Sequence, residues 1–285
     1  MIITELNGGL GNQLFQYAAG LSLALKHQTT LKVSLQFKNN DTSRNFGLSH
    51  FNTNVIEATQ EDINQLYSSS TLNRAIQALL PSPFKQYFRE KYFAYQSDFN
   101  NLGPNVYLKG YWQSELYFSS IAEQVKAKFV LKPEYFSSIL SLIEEIKTSE
   151  SVSIHVRKGD YLLHPYVDYY ATLESVYYTN AIAALQEQYP LLKLFVFTDD
   201  PNWVKENLHL ASPYRLISGI ETSSMYEDFQ AMLSCKYHII ANSSFSWWTA
   251  WLSAREGKKV IAPKHWFKNG PTDTQDLIPK SWLIV

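Results

Sequence analysis

The chain has 285 residues, a length that suits one large domain or two smaller ones, each able to bury a core. Its formal net charge is −1 at pH 7, so overall charge gives no reason to expect a nucleic acid or a membrane as partner. Any site for an anion must therefore be local. The single cysteine, Cys235, excludes an internal disulfide and a cysteine-based zinc cluster.

The chain carries no clear targeting or membrane signal. Residues Met1 to Glu5 lack the basic and apolar regions of a signal peptide. No apolar stretch approaches the roughly 20 residues that a membrane-spanning helix needs. We therefore expect a cytoplasmic protein with no signal peptide and no transmembrane segment, and the sequence leaves peripheral contact with the inner face of a membrane open.

The first half of the chain predicts an irregular arrangement of strands and helices. Short apolar runs predict strands at 1–5, 31–35 and 106–109, and helical spacing predicts a helix from Leu14 and helices at 121–129 and 135–146. Between Phe37 and Pro83 the pattern is weak, and polar stretches at 38–44 and 68–71 predict loops. An aromatic-rich stretch from Phe84 to Phe118 suits either core packing or the faces of sugar rings.

The second half is more regular, because short apolar strands alternate with helical stretches. The predicted strands are 151–156, 192–197, 214–217, 237–240 and 259–262, and the predicted helices are 177–188, 202–208, 224–233 and 246–254. Such alternation predicts a parallel sheet with crossover helices. A polar break at 147–150 predicts a boundary between an N-terminal domain, 1–148, and a C-terminal domain, 149–285.

A glycine-rich loop, Asn7-Gly8-Gly9-Leu10-Gly11-Asn12-Gln13, follows the first predicted strand. Ligands of open parallel sheets bind outside the carboxyl ends of the strands, so this loop is a candidate site. Gly9 and Gly11 allow backbone N–H groups to approach a phosphate, and the amides of Asn12 and Gln13 can donate to phosphate or sugar oxygens. The loop is neither a dinucleotide fingerprint nor a P-loop, and a tight turn alone is the alternative.

A second candidate, His155-Val156-Arg157-Lys158-Gly159-Asp160-Tyr161, lies at the end of the predicted strand 151–156. Arg157 can direct two N–H donors to one phosphate and neutralise its charge. Because alternate residues of a strand share a face, His155 and Arg157 can address one ligand together. Asp160 can accept a proton or pair with Lys158 or Arg157, so a salt bridge at a strand end is the structural alternative.

Two further strand ends carry polar groups. Asp199 and Asp200 can accept hydrogen bonds from a ribose diol or a guanine edge, and a carboxylate here can equally cap the following helix. The stretch Asn242-Ser243-Ser244-Phe245-Ser246 precedes a predicted helix, whose first N–H groups and serine hydroxyls suit a phosphate, although such a serine is ordinarily a cap. The sequence has no G-x-S-x-G, H-E-x-x-H or D-x-D motif, so we expect no metal.

These motifs, with Gly110-Tyr111-Trp112-Gln113-Ser114 between them, occur in the order typical of glycosyltransferase family 11, and nearly the whole chain resembles its bacterial α-1,2-fucosyltransferases. The resemblance implies an α/β GT-B fold, with two Rossmann-like domains facing across a cleft and GDP-fucose held mainly by the second. It implies inverting, metal-independent transfer of fucose to the 2-hydroxyl of a terminal galactose in an oligosaccharide or lipopolysaccharide. The family usually carries arginine where this chain has Lys158, which keeps the charge but loses the fork.

The resemblance also implies roles for single residues. Arg157 resembles the arginine that stabilises the β-phosphate, His155 matches a histidine near the nucleotide, and Asn12 matches an asparagine near the β-phosphate and fucose. The other nucleotide-binding candidates are Gly9, Gly11, Gln13, Lys158, Asn242, the serine-loop residues Ser243, Ser244 and Phe245, and Asp199 or Asp200 near the base or ribose. Asp160 is the candidate general base, with the departing phosphate as the alternative proton acceptor.

Two other interpretations stay open. An enzyme on the same scaffold can use another donor sugar or form another linkage, and a non-catalytic protein can bind a GDP-sugar or a glycan without transfer. On the favoured interpretation the partners are GDP-fucose as donor substrate, with no cofactor, and a galactose-terminated glycan as acceptor. The sequence does not identify the glycan.

Overall fold

The computed structural model describes residues 1–35, 46–68, 70–159, 161, 164 and 166–285. The chain divides into two compact units, Met1–Val130 with Asp273–Pro279, and Leu131–Thr272 with Lys280–Val285. The division comes earlier than the predicted boundary at 148. The reason is that the helix Leu140–Lys147 packs in the second unit, where its apolar side chains meet those of the helix Met225–Ser234.

The first unit is built on a four-stranded parallel sheet with the order β2-β1-β4-β3, whose strands are β1 (Ile2–Glu5), β2 (Leu31–Ser34), β3 (Tyr87–Arg89) and β4 (Val106–Lys109). Its helices are α1 (Leu10–Lys26), α2 (Gln60–Leu66), α3 (Thr71–Leu79) and α4 (Ala122–Lys128). Short 3-10 turns cover Leu48–His50, Ser82–Phe84, Ser97–Asn101, Glu115–Tyr117 and Ser119–Ile121. Ile3 is paired with Lys32 on one side and Tyr107 on the other, so β1 is central and leads directly into α1.

The second unit contains a six-stranded parallel sheet with the order β10-β9-β8-β5-β6-β7. Its strands are β5 (Ser151–Val156), β6 (Lys193–Thr198), β7 (Tyr214–Leu216), β8 (Tyr237–Ile239), β9 (Lys259–Ala262) and β10 (Leu283–Ile284). Its helices are α5 (Leu140–Lys147), α6 (Tyr166–Tyr169), α7 (Ser175–Gln186), α8 (Pro201–Asn207), α9 (Met225–Ser234) and α10 (Ser244–Leu252), with 3-10 turns at Pro133–Tyr135 and Ser137–Ile139. Across the described ranges of both units, no helix is long and apolar enough to span a bilayer.

Strand β5 forms the middle of the second core. All six of its residues are buried, and it pairs with β6 on one side and β8 on the other. Val152, Ile154 and Val156 face a core that includes α7, whereas Phe195 and Phe197 of β6 face α5 and α9. His155 is opposite Phe197 in the register and therefore shares this second face.

The structure differs from the sequence-based prediction in several elements. Helix α1 begins at Leu10 rather than Leu14, because the Gly9 carbonyl already accepts the N–H groups of Asn12 (3.0 Å) and Gln13 (3.1 Å). The predicted helix at 135–146 is divided into 3-10 turns and α5. Helices α2 and α3 lie in the weakly patterned region 37–83, and the predicted loop at 38–44 falls outside the described residues.

Candidate functional site

The loops that follow β5 and β6 are neighbours, because the two strands pair in parallel with Val156 opposite Thr198. Arg157 follows β5, Asp199 follows β6, and the arginine Nη1 lies 3.1 Å from a carboxylate oxygen of the aspartate. The guanidinium carbon is also 5.3 Å from the centre of the Tyr161 ring. Both members of the ion pair are partly exposed, so an oriented cation lies at the edge of the sheet where α/β ligands bind.

Asp199 also shapes the loop that carries the arginine. Its second carboxylate oxygen accepts the backbone N–H of Lys158 at 2.9 Å. A Cβ placed on Gly159 would lie 2.2 Å from a carboxylate oxygen of Asp199, so a larger residue would have to displace that carboxylate. Asp199 therefore bonds Arg157 and Lys158 and lies against Gly159, and its contact with a ribose or base stays a prediction.

The Lys158 side chain has different surroundings from those expected of a ligand-facing cation. It is only 2% exposed, and its Nζ donates to the Leu173 carbonyl at 2.9 Å. The same ammonium lies 4.0 Å from the centre of the Trp203 ring and 3.9 Å from a carboxylate oxygen of Glu174. Burial lowers the pKa of Lys158. The side chain is thus anchored within the protein, on the side of the sheet where Val156 packs, because alternate residues of an extended chain point to opposite sides.

His155 is buried beneath the loop. Its ring lies 5.8 Å from that of Phe245, which in turn packs edge-on against Phe229 at 5.4 Å. Burial, together with the nearby positive charge of Arg157, lowers the pKa of His155 to about 3. Among the described residues, Nδ1 of His155 has no hydrogen-bond partner. At neutral pH the ring is therefore uncharged, with one nitrogen left for a ligand or a water molecule.

Asp200 acts as a helix cap, one of the two alternatives that the sequence left open. Its carboxylate accepts the N–H of Trp203 at 2.9 Å, at the N-terminus of α8. The backbone N–H of Asp200 donates to the Thr198 hydroxyl at 3.0 Å. These two hydrogen bonds define the conformation of the chain immediately after Asp199.

A buried polar network supports the end of β6. The Thr198 N–H donates to the Ser218 hydroxyl at 2.9 Å, and that hydroxyl donates to Asp228 at 2.8 Å. The Thr222 hydroxyl donates to the other carboxylate oxygen of Asp228 at 2.5 Å. Burial raises the pKa of Asp228 to about 6, although these hydrogen bonds oppose the shift. Asp228 therefore positions the strand from which Asp199 projects.

The serine loop precedes α10. Asn242 is buried, and its amide nitrogen donates to the carbonyls of Ala171 (2.8 Å) and Trp266 (2.9 Å), so its side chain fixes neighbouring loops. Ser243 is the N-cap residue, and its side chain makes no capping hydrogen bond to the helix. Ser244 and Phe245 are partly exposed in the first turn. Ser243 thus does not act as the side-chain cap that was the alternative to a phosphate site, and phosphate binding at the first turn of α10 stays a prediction.

Asp160 lies outside the described residues, so its position relative to Arg157 stays a prediction. The next residue, Tyr161, stacks on Tyr170 with ring centres 4.0 Å apart and donates its hydroxyl to the Asn242 carbonyl at 3.0 Å. This tyrosine links the loop after β5 to the loop that begins α10.

In the first unit the glycine loop is stabilised by contacts with residues of the same unit. Gly8 has φ of +78°, a conformation that favours glycine, and a Cβ there would lie 2.6 Å from the side-chain nitrogen of Asn12. Gly9 is extended and caps α1, and Gly11 is buried in its first turn. Gln13 is also buried: its Nε2 donates to the Gly8 carbonyl at 3.0 Å and its Oε1 accepts the Gly47 N–H at 3.0 Å. Gln13 therefore supports the loop, rather than offering its amide to a ligand as expected.

Asn12 is partly exposed at the start of α1. Its Oδ1 accepts a hydrogen bond of 2.7 Å from Nε2 of Gln113, in the loop that follows β4. A second glutamine, Gln16, bridges the same two loops, since it accepts the N–H of Asn7 at 2.8 Å and donates to the Gly110 carbonyl at 3.0 Å. The sequence singled out the loop after β4 without assigning it a role, and the structure shows that it supports Asn12.

Glu90 is a site residue that the sequence did not indicate. Its carboxylate accepts the N–H groups of Tyr111 (2.6 Å) and Trp112 (3.1 Å). Trp112 has φ of +57°, which is rare and costly for a large side chain, so these bonds hold a strained turn. Burial raises the pKa of Glu90 to about 7, and nearby Asp273 adds to the shift. No local pattern marks Glu90, because it reaches the turn only through the pairing of β3 with β4.

Glycosyl transferase family 11 matches residues 1–285. An alpha-1,2-colitosyltransferase of Escherichia coli is 31% identical over 100% of this chain and 99% of its own length. The O-antigen biosynthesis glycosyltransferase WbnK of Escherichia coli is 28% identical over 98% of both chains. A galactoside alpha-(1,2)-fucosyltransferase 1 of the monkey Saimiri boliviensis boliviensis is 24% identical over 55% of this chain and 45% of its own. Within the described residues, no group of three or more His, Cys, Asp or Glu side chains is placed to hold a metal ion.

Solved structures share the fold. NodZ, an alpha-1,6-fucosyltransferase of Bradyrhizobium crystallised with GDP, superposes with a TM-score of 0.51 at 18% identity, covering 87% of this chain and 90% of its own. A variant of Arabidopsis thaliana FUT1 in complex with GDP gives a TM-score of 0.52 at 11% identity, covering 91% of this chain and 69% of its own. The two parallel α/β units thus have the GT-B architecture of fucosyltransferases. With its whole length matched, the chain belongs to glycosyl transferase family 11 and is a fucosyltransferase-like glycosyltransferase of the bacterial type.

Proposed function

We propose that this glycosyltransferase moves fucose from GDP-fucose to the 2-hydroxyl of a terminal galactose, with inversion at the sugar and without a metal ion. Two kinds of relative support the linkage, since an alpha-1,2-colitosyltransferase and a galactoside alpha-(1,2)-fucosyltransferase both carry it in their names. GDP in the NodZ and FUT1 crystals supports the nucleotide. The acceptor is a galactose-terminated oligosaccharide or lipopolysaccharide.

The observation that carries the proposal is the Arg157–Asp199 pair at the carboxyl end of β5. When GDP departs, negative charge builds on the β-phosphate while the sugar becomes oxocarbenium-like. Donors that are already oriented toward such charge are usually the largest single catalytic contribution. Asp199 holds the guanidinium in one orientation before any ligand arrives, so little reorganisation is needed when the charge develops.

Other groups complete the donor site in this proposal. The first turn of α10, with Ser243, Ser244 and Phe245, offers N–H groups and hydroxyls to a phosphate. The neutral His155 ring supplies a nitrogen for a donor oxygen or a bridging water. In the first unit, Gly9, Gly11 and Asn12 stay candidates for contact with the leaving group. The side chains of Lys158, Gln13, Asn242 and Asp200 we assign to support of the site, because their hydrogen bonds lie within the protein.

The proton of the acceptor hydroxyl has two candidate destinations. Asp160 directly follows Gly159 and is three residues from Arg157 in sequence, which makes it the candidate base. The departing phosphate is the second acceptor, since its oxygens gain charge as the bond to the sugar breaks. An Asp160→Asn variant separates them: full activity assigns the proton to the phosphate, and a large loss in kcat with unchanged donor affinity assigns it to Asp160.

A second candidate donor has its own support. The Escherichia coli relative of 31% identity is named a colitosyltransferase, and colitose is fucose without its 3-hydroxyl. A site that hydrogen-bonds the 3-hydroxyl would reject colitose strongly, whereas a site with an apolar surface at that position would discriminate weakly. Competition between the GDP-linked forms of the two sugars, measured as the ratio of kcat/KM values, decides between them.

Transfer assays with purified protein test the proposed function. GDP-fucose, GDP-mannose and UDP-galactose are offered separately with a set of galactose-terminated disaccharides, and the linkage of any product is assigned by NMR. The expected product carries fucose on the 2-hydroxyl of galactose, with the anomeric configuration inverted. A product from another donor or on another hydroxyl overturns the specificity. GDP binding by calorimetry with no product from any donor would show a binding protein instead.

A further inference from the structure

Helix α3 presents its apolar residues to solvent. Leu72, Ile76 and Leu79 recur at positions i, i+4 and i+7, which places them on one face of the helix. These side chains are 69%, 47% and 87% exposed. A surface helix of a globular protein ordinarily turns such a stripe toward the core. In α3 the stripe faces solvent, and of the residues whose side chains are described all are exposed except Gln77, which is partly exposed.

The opposite face of α3 explains how this orientation is fixed. The side-chain oxygen of Gln77 accepts the N–H groups of Gln86 at 2.8 Å and Tyr87 at 3.4 Å, so a polar residue binds α3 to the beginning of β3. Gln77 is about 100° or more around the helix from each residue of the apolar stripe. The stripe is therefore directed outward by specific hydrogen bonds on the inner face.

The apolar surface continues along the chain after α3. Phe84, at the end of the 3-10 turn Ser82–Phe84, is 71% exposed, and Tyr92 is 65% exposed. We call Leu72, Ile76, Leu79, Phe84 and Tyr92 the α3 surface. Contiguous exposed apolar side chains mark an interaction site, and the three of α3 share one face of the helix.

The charges of this stretch are mostly positive. From Ile63 to Ser97 the sequence has four basic residues, Arg74, Lys85, Arg89 and Lys91, and a single acidic residue, Glu90. The Glu90 carboxylate is turned inward to the N–H groups of Tyr111 and Trp112. Arg89 and Lys91 are exposed, and within the part of the chain that the structure describes, neither they nor Lys85 form an ion pair. Two carboxylates of the same unit, Asp273 and Asp276, lie beside this stretch, where they accept the N–H groups of Phe93, Ala94 and Tyr95. Within the stretch itself, basic residues outnumber acidic ones by four to one.

We propose that the α3 surface is where this protein docks on an anionic lipid bilayer. An apolar stripe on a short helix, flanked by lysine and arginine, is the pattern of interfacial binding, in which apolar side chains enter the acyl boundary and cations meet lipid phosphates. The excess of positive charge favours this partner over a second copy of the chain, because two copies meeting at this surface would bring like charges together. The inference is independent of the sugar donor and of the bond formed.

Vesicle sedimentation tests the proposal with the full-length protein and no donor present. The probes are vesicles of phosphatidylethanolamine with phosphatidylglycerol and vesicles of phosphatidylcholine alone. The wild type is expected to bind the anionic vesicles and to bind the neutral ones at least about tenfold more weakly, since each cation near an anionic surface contributes about 1 kcal/mol. Equal binding to both vesicles, or binding to neither, overturns the proposal.

Two variants separate the apolar and the cationic contributions. The first is Leu72→Gln/Ile76→Gln/Leu79→Gln, in which glutamine keeps good helix propensity, and its binding should fall by about tenfold or more. Its matched control, Val176→Gln/Leu191→Gln/Ile220→Gln, removes three equally exposed apolar side chains from the second unit and should bind as the wild type does. Loss of binding in the control to the same degree overturns the assignment to α3.

The second variant is Lys85→Gln/Arg89→Gln/Lys91→Gln, which leaves the sequence of α3 intact and so stays informative if the first variant does not fold. It should lose affinity and salt sensitivity for anionic vesicles, whereas Lys264→Gln/Lys280→Gln, exposed lysines of the second unit, should lose little. Unchanged affinity of the second variant counts against the proposal. Sedimentation equilibrium adds a decisive alternative: a wild-type dimer that the first variant dissociates would make the α3 surface a self-association interface, and docking on lipid would be wrong.

Discussion

Gln113 fixes the orientation of the Asn12 side chain, although the two residues are 101 positions apart in sequence: Nε2 of the glutamine donates to Oδ1 of the asparagine at 2.7 Å. A side-chain amide has a donor end and an acceptor end, so a donor on Oδ1 determines where the asparagine nitrogen points. That nitrogen lies over Gly8, at the carboxyl end of β1. Gln113 is therefore a positioning residue for a candidate catalytic amide.

The contact between Gln113 and Asn12 predicts the outcome of a double-mutant cycle measured in kcat. Asn12→Ala should lower kcat by about tenfold to a hundredfold if its amide contacts the leaving group. Gln113→Met keeps the side-chain volume but removes the donor, and it should lower kcat by a smaller factor with little change in the KM for acceptor. In the double variant the two losses should not multiply, because Gln113 acts through Asn12. Steady-state kinetics on all four proteins gives the coupling.

The double-mutant cycle separates a wrong role for Gln113 from a wrong proposed function. If the wild type transfers sugar and the two losses multiply in the double variant, Gln113 does not act through Asn12, and the proposed function stands. A Gln113→Glu variant provides a further check, since a carboxylate cannot donate and would turn the asparagine nitrogen toward itself. It should be as inactive as Asn12→Ala while melting near the wild-type temperature.

Arg157→Ala is expected to lower turnover by on the order of 10³-fold or more, the scale of losing a central electrostatic contact to the transition state. Arg157→Lys keeps the charge but loses the fork, and its residual activity should fall between those of the wild type and the alanine variant. The control is Arg215→Ala in the same unit, which breaks ion pairs with Glu145 and Glu221 on the surface. Such exposed pairs contribute little to stability, so this control should retain activity. A folded Arg157→Ala enzyme with near-native kcat would refute the assignment.

The strands that carry the site are predictable from the sequence, because strands buried on both faces consist of nearly continuous apolar residues. Strands at 106–109, 151–156 and 259–262 are found as predicted, and Arg157 directly follows the central one. The contacts that Arg157 makes were harder to predict from the sequence. Its pairing with Asp199 depends on the register of β5 against β6, which places Val156 opposite Thr198.

Side-chain direction in the loops was the part that sequence could not supply. Lys158 follows a conspicuous arginine, yet its ammonium is buried against Trp203, on the side of the sheet where Val156 packs. Gln13 looked like a ligand donor from its place beside Asn12, but it faces inward in the first turn of α1. Adjacent residues of a turn can point in opposite directions, and only the backbone dihedral angles decide which one meets a ligand.

Chelation is expected to leave transfer unchanged. The sequence has no D-x-D motif, and the proposed site directs Arg157 and the first turn of α10 to the diphosphate, so positive charge comes from the protein itself. Activity measured before and after dialysis against EDTA should be equal, and added Mg²⁺ or Mn²⁺ should not increase it. Loss of activity on chelation that either ion restores would replace this mechanism with a metal-assisted one.

Glu90, which binds the turn that precedes Gln113, makes the stability of the protein depend on pH. Its carboxylate holds the strained Trp112 by two backbone N–H groups, and burial raises its pKa to about 7 from an ordinary value of 4.5. A carboxyl group whose pKa is raised by folding stabilises the protein fully below its unfolded pKa, and this contribution is lost as the pH rises through the folded value. The relevant window is therefore about pH 4.5 to about pH 7.

The corresponding variant is Glu90→Gln, which does not titrate and can accept only one of the two N–H groups well. The free energy of unfolding of the wild type minus that of the variant should fall with rising pH across this window, by on the order of 3 kcal/mol, and then level off. Urea denaturation of both proteins at a series of pH values measures the difference, in which the titration of Asp228 cancels because it is common to both. A difference that stays constant with pH would show that the Glu90 carboxyl titrates alike in the folded and unfolded chains, and the raised pKa would be wrong.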